Sequence, residues 1–488
     1  MAGQNDTSEA GAVWRSPLVA RYGRPEMARL FGARHRAGVW RRLWLALAES
    51  ERELGLPISE AQIEQLRVHL DDVDLERVAE LERTLRHDVM AHIHHLGEQA
   101  PLARPIIHLG ATSCFVTDNA DLIIVRQALG VLGQALLEAI AALGRFARRE
   151  CDTPCLGYTH LQPAQPTTVG KRAAVWLYEL LEAYREIERV RTTLPFRGVK
   201  GTTGTQASFL RLFEGDHERV LELERRVAER MGFTASVPVC GQTYPRLWDH
   251  RILSALTLQA AVTSRFGVDV RLLQHMGELE EPFGRAQVGS SAMAHKRNPI
   301  LSERLGALAR WLIQIAGNAP HTAAVQWLER SLDDSANRRL ALPEALLAAH
   351  ALAHYQGVIA AGLVVHRRVV AERLEAELPY LALEAIVLEA VRRGGDRQTL
   401  HEAARRHAMA SRARQRREGG VPDLLDRIAA DPLFAAIGSD LPALLEPARH
   451  VGRAPEQTRA LLREHVEPLL AAHGMDLDAA GDAPALPI

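Results

Sequence analysis

The stretch that most constrains this chain is Leu122 to Ala147, LIIVRQALGVLGQALLEAIAALGRFA, which is apolar on nearly every side of a helix. A helix with one apolar stripe lies on a core, whereas one that is apolar all round must be covered on several sides. Two further segments, Ala173 to Val190 and Ile252 to Leu273, have the same character. Long helices of this kind are satisfied by a bundle, and best by one that also associates between subunits. Alternating runs of β-branched and aromatic residues between turns are sparse, so the chain reads as predominantly α.

At 488 residues the chain exceeds one compact core, and two or three domains are expected. A formal charge of −1 gives no bulk attraction to nucleic acid or membrane. Four cysteines, Cys114, Cys151, Cys155 and Cys240, are too few for a disulfide framework, and no second pair completes a metal site. A reducing, cytoplasmic setting is expected. The opening residues, MAGQNDTSEAGAVWRSP, lack the charged start and apolar core of a signal peptide. No uninterrupted apolar run reaches the roughly 18 residues of a membrane span.

Polar segments punctuate the helical pattern. Arg21-Tyr22 sits in a short segment before the first helices, and Arg86-His87-Asp88 lies inside the helical pattern of Leu75 to Leu96. There the aspartate is placed to orient the imidazole or tune its pKa. His92, His94 and His95 follow without the carboxylate or cysteine pattern of a metal site and read as helix-face or polar-contact histidines. HLGATSCFVTDNADL, residues 108 to 122, offers Thr112, Ser113, Thr117, Asp118 and Asn119 before an apolar run. Helix capping accounts for one or two of these and leaves the rest free to face a polar ligand. GYTHLQPAQPTTVGKR, residues 157 to 172, reads as a proline-stiffened loop holding His160 among hydrogen-bonding side chains, a candidate acid or base. GVKGTTGTQASF is a Gly/Thr-rich loop without the order of a phosphate-binding P-loop. CGQTYPRLWDH adds Gln242 and Arg246 as ligand contacts.

QVGSSAMAHKRNP, residues 287 to 299, places small residues before a basic cluster, which suits a closing lid as well as it suits an ordinary solvated loop. A helix start at residues 302 to 312 carries Glu303, positioned to pair with a histidine. In WLERSLDDSANRRL, a charged helix face competes with convergence of Arg330, Ser335 and Arg339 on one phosphate. From about residue 366 the chain is ordinary amphipathic helix, ending in the tail DAAGDAPALPI.

Taken in order, RHDVMAH, ATSCFVTDNADL, GYTHLQPAQPTTVGKR, GVKGTTGTQASFL, QVGSSAMAHKRNP and ERSLDDSANRR resemble the motifs of the adenylosuccinate lyase family within the fumarase/aspartase superfamily. The resemblance covers nearly the whole chain. It implies an all-α fold of three helical domains: 1–112, a central long-helix domain 113–365 carrying the signature loop 287–299, and 366–488. It further implies a homotetramer with active sites shared between subunits, a nucleotide substrate, β-elimination of fumarate, and no cofactor or metal. By resemblance, Ser290 is the catalytic base and His160 the general acid, with Lys296, Glu303 and His87 in the catalytic set. Arg21, Tyr22, Arg86, Asp88, Thr112, Ser113, Gln242, Asn298, Arg304, Arg330, Ser335 and Arg339 correspond to substrate-binding positions. No nucleic acid or membrane partner is implied. Two departures stand out: Ala294 where the family loop has proline, and Leu247-Trp248 after Arg246, bulkier than expected. A paralogue acting on another succinylated nucleotide, and a catalytically silent nucleotide-binding oligomer, remain the competing readings. The intact Ser290, His160, Lys296 and Glu303 argue against the silent form.

Overall fold

The computed structural model describes residues 13–479. Residues 1–12 of the opening segment and 480–488 of the C-terminal tail therefore fall outside the described residues. Among those described, helices dominate and the strands form only two small two-stranded sheets. This matches the all-α reading.

The N-terminal part contains α1 (Ala33–Glu53), α2 (Leu75–Leu85) and α3 (Asp88–Gln99). The sequence pattern had run unbroken from Leu75 to Leu96, but the structure breaks it. Arg86 ends α2 in a left-handed conformation (φ 55°), and His87 caps α3 by accepting the Met90 N–H on its side chain. The Arg-His-Asp segment is thus a corner between two helices. A 3.6-residue period survives such a one-residue kink, which is why periodicity alone does not reveal it.

The centre of the molecule is a set of long helices: α4 (Ser113–Arg149), α5 (Val169–Thr193), α6 (Leu247–His275), α7 (Ile300–Ile315) and α8 (Asp334–Gly362). α4 packs on α5 and α8, α6 packs on α5 and α7, and α7 packs on α8. α4 has the length and apolarity of a membrane span, yet most of that stretch is buried against its neighbours. Its all-round apolar sequence is therefore the signature of a central bundle helix. Most of α8 has no counterpart in the sequence reading, which weighs the charged segment 327–340 as a helix face against convergence on a phosphate. In the structure the first half of that segment is irregular and its second half, from Asp334, is the start of α8. Pro343 inside α8 interrupts the sequence signal although the helix continues through it.

The segment read as a loop at 157–172 is instead a β-hairpin, β1 (Pro154–Thr159) and β2 (Gln162–Thr168), running into α5. Its two turn residues, His160 and Leu161, both have φ of 54°. Paired positive φ values match the right-handed twist of the flanking strands in a two-residue hairpin. Gly170, at the start of α5, lets the two helices cross closely, since a Cβ there would lie 2.5 Å from the Ala147 carbonyl oxygen.

Beyond residue 366, residues between Ala382 and Leu441 share a small core of their own. The chain then returns, and Leu462, Val466, Leu470 and Leu477 join the main core. The four cysteines are free thiols, three of them buried.

Candidate active site

Below the corner at Arg86–Asp88 lies a cleft of about 920 Å³. It is walled by α1, the α2–α3 corner, the first turns of α4, the segment at Gln242 and the start of α8. Of the residues singled out in the sequence, Arg86, His87, Asp88, Ser113, Gln242, Arg330, Ser335 and Arg339 all line it. Thr112 occupies the N-cap position of α4 beside Ser113 and makes no side-chain cap bond.

His87 has a defined polarity. Its Nδ1 accepts the Met90 N–H at 3.3 Å, so in the neutral ring the proton sits on Nε2, 3.4 Å from Ser113 Oγ. Asp88 faces the same ring, with Oδ1 3.6 Å from Nδ1, and takes Arg339 Nη2 at 3.2 Å on its other oxygen. The cleft therefore offers an N–H donor, a hydroxyl and two guanidinium groups, Arg330 and Arg339, to a polar ligand.

Beneath them is a buried ionic chain. Arg246 donates from Nη1 and Nη2 to the two ends of Asp118 at 3.1 and 3.2 Å, and from Nε to Asp334 at 2.6 Å. Asp334 in turn lies 3.5 Å from Arg330. Arg338 reaches Asp249 at 2.7 Å and Asp121 at 3.1 Å. Burial alone would raise the Asp118 pKa, yet Arg246, Arg338 and Arg197 outweigh it and hold the carboxyl below its ordinary value. Arg246, expected to touch ligand, is thus a buried scaffold residue, with a side chain 1% exposed. Asp118 and Asn119 are structural as well: Asn119 takes the N–H groups of Arg197 and Gly198 and donates to the carbonyls of Phe115 and Gly198. Of the five polar residues at the start of α4, two hold the backbone together.

The remaining residues lie elsewhere on the chain. Arg21, Tyr22 and Arg304 gather around the buried Tyr355 of α8. Burial raises the Tyr355 phenol while Arg304 and Arg21 oppose that rise. In the loop at 287–299, Ser290 Oγ accepts the Ala292 and Met293 N–H groups at 3.3 and 3.1 Å. Asn298 Nδ2 donates to the Gly289 carbonyl at 2.9 Å and folds the loop on itself. Lys296 is exposed and its side chain contacts neither Ser290 nor another partner among the described residues. His160 stands exposed at the hairpin tip, and no hydrogen bond or ion pair among the described residues joins it to Glu303 in the first turn of α7. Within one chain, then, the cleft, the Tyr355 cluster, the loop and the hairpin tip are not brought together.

The structure also assigns residues the sequence left unremarked. Trp40, Cys114 and Asp121 line the cleft; the last two lie within the ATSCFVTDNADL motif but have no role in its sequence reading, and Trp40 stands in an ordinary helical pattern. Trp248 is not among the lining residues; it carries Arg251 over its ring at 4.6 Å. His95 accepts the Asp74 N–H, and His92 packs on Trp40 with burial pushing its pKa down to about 4. Among the described residues no group of His, Cys, Asp and Glu is arranged to hold a metal.

This architecture is that of the helical-bundle lyases. Residues 25–317 match the lyase family model and residues 379–461 match the adenylosuccinate lyase C-terminus. The fold superimposes on the 3-carboxy-cis,cis-muconate lactonizing enzyme of Pseudomonas putida with a TM-score of 0.78 over 91% of this chain and 98% of that one, at 24% identity. It superimposes similarly on a fumarate lyase from Mesorhizobium, at a TM-score of 0.77 over 91% of this chain and 99% of that one, at 22% identity. Both likenesses are of fold. The adenylosuccinate lyase of Saccharomyces cerevisiae is 47% identical across 93% of this chain and 95% of its own length. That of Schistosoma mansoni is 44% identical across 94% and 96%. The chain belongs to the adenylosuccinate lyase family and is a carbon–nitrogen lyase of that type.

Proposed function

We propose that this enzyme releases fumarate by β-elimination from adenylosuccinate, giving AMP, and from the succinylaminoimidazole carboxamide ribotide of purine nucleotide synthesis. The observation that carries this reading is the meeting of Arg330, Ser335 and Arg339 with His87 and Gln242 on one cleft. It is a composition suited to a phosphate at one end and an acceptor-bearing group at the other. Ser290 removes the proton beside a carboxylate of the succinyl group, and the resulting dianionic aci-carboxylate is stabilised by cationic and N–H donors. The C–N bond then breaks as His160 protonates the departing amine. Asn298 and the Gly289 segment shape the loop, and Lys296 supplies charge once the loop closes over substrate. Arg21, Tyr22 and Arg304 complete the nucleotide site.

Because these groups are spread over separate surfaces of one chain, a shared active site in a homotetramer accounts for them. The hairpin tip and the signature loop of one subunit would complete the cleft of another. The expected division into 1–112, 113–365 and 366–488, a cytoplasmic setting and the absence of nucleic-acid or membrane partners belong to the same reading. It is tested by following fumarate release from adenylosuccinate. Wild-type enzyme is expected to turn over, and Ser290→Ala to lose at least about a thousandfold in kcat while still binding substrate. Undiminished turnover by Ser290→Ala would remove its role as base. Failure of a folded wild-type tetramer on both purine substrates would redirect the assignment to another succinylated nucleotide.

A further inference from the structure

Gln242 is held more firmly than a ligand-facing side chain on a loop usually is. Its backbone N–H donates to the Glu329 carbonyl at 2.9 Å, and its own carbonyl accepts from Arg197 Nε at 2.8 Å. Arg197 is fully buried and spends its other guanidinium nitrogens on the carbonyls of Gly198 and Gly201. The Gln242 backbone therefore cannot shift without breaking a buried arginine network. What stays open is the orientation of the carboxamide, whose two ends are alike in shape and opposite in hydrogen-bonding sense.

One neighbour decides it. Cys114, in the first turn of α4, is 4% exposed and places Sγ 3.6 Å from Gln242 Oε1. In this contact the Cys114 S–H donates to Gln242 Oε1. That turns the Nε2 amide group, which donates to no protein atom among the described residues, towards the cleft. Burial raises the thiol's pKa to about 11, so the S–H is retained at any working pH.

We propose that Cys114 presets the Gln242 carboxamide as a hydrogen-bond donor, making Cys114 a positioning residue that selects an acceptor oxygen on the substrate at this wall of the cleft. The inference rests on the fumarate-releasing reading above and adds to it the sense of one contact: this wall recognises a carboxylate or carbonyl oxygen and disfavours a donor. It also gives Cys114 a purpose that helix capping and core packing do not supply.

The test is steady-state kinetics with adenylosuccinate on wild type, Cys114→Ala, Cys114→Ser, Gln242→Ala and the double variant Cys114→Ala/Gln242→Ala. Loss of one hydrogen bond's preorganisation should raise KM of Cys114→Ala by roughly three- to tenfold, with kcat within about twofold of wild type. Cys114→Ser, which keeps a donor, should lie closer to wild type. In the Gln242→Ala background the cysteine change should have no further effect. Wild-type KM in Cys114→Ala, or effects that multiply in the double variant, would overturn the positioning role and leave the lyase reading intact. Absence of turnover by wild type itself would overturn both.

Discussion

A serine abstracts a proton only if its alkoxide is stabilised, and in this loop two backbone N–H groups already point at Ser290 Oγ. In the proposed mechanism, charge from Lys296 comes with loop closure, for which Gly289, Ser291 and Ala292 are small, and Ala294 in place of proline restrains the backbone less. His87 shows the same residue-scale logic, since a single N–H from Met90 fixes which ring nitrogen faces the cleft. Glu51 is the opposite case. It is fully buried in α1, neither carboxyl oxygen has a hydrogen-bond partner, and burial pushes its pKa well up. A carboxyl that is harder to ionise in the folded state than in the unfolded one binds more protons when folded. Its contribution is therefore complete below the ordinary glutamate pKa and is lost as pH rises through the raised one. Glu51→Gln should remove that loss, so its melting temperature should exceed that of wild type at pH 8 and converge with it near pH 4. Parallel melting curves across that range would show that Glu51 is solvated in the folded protein.

At the scale of elements, the cleft depends on how α4, α6 and α8 are tied together at their ends. The tie is ionic and buried: Asp118 from α4, Arg246 just before α6 and Asp334 opening α8. A buried pair of this kind adds little over an apolar substitute, but removing one partner strands a charge without water. Asp118→Ala should accordingly cost about 3–5 kcal/mol in denaturant unfolding, several times the effect of removing an exposed pair such as Arg405–Glu402. A loss below about 1 kcal/mol would mean that water reaches Arg246. The hairpin is the other element with a functional consequence. Gly157 is required where β1 bulges, because a Cβ there would lie 2.3 Å from the Gln165 carbonyl oxygen. That close pairing carries His160 out on a stiff tip.

For the whole molecule, the separation of His160, Ser290 and the cleft within one chain leads to a sharp expectation. His160→Asn keeps a residue that tolerates the left-handed conformation of the turn, so the hairpin should persist while the proposed acid is lost. Ser290→Ala removes the proposed base. Each variant alone should be inactive, and mixing the two under conditions that exchange subunits should restore measurable fumarate release, because some hybrid sites draw both intact residues from different chains. A mixture as inactive as its components, in hybrids confirmed by mass measurement, would place each site within a single subunit. Exposed Tyr178, Leu258, Trp311 and Ile313 on the central helices offer apolar surface for such association.

The sequence by itself determined the helical class, the burial of the central helices and the list of candidate residues. Those properties are local: apolar residues on every side of a helix must be covered, and a motif keeps its order along the chain. Tertiary structure alone decided which candidates share a cleft. Arg86–Asp88, Gln242 and Arg330–Arg339 are brought together across long stretches of intervening chain, which no periodicity encodes. Tertiary structure also divided arginines of similar appearance in the sequence: all four stand in the cleft wall, but Arg246 and Arg338 spend their charge on buried carboxylates while the side chains of Arg330 and Arg339 are more exposed. The physical reason is that a charged side chain's role depends on whether a counter-charge or water meets it, and only the packed fold determines which.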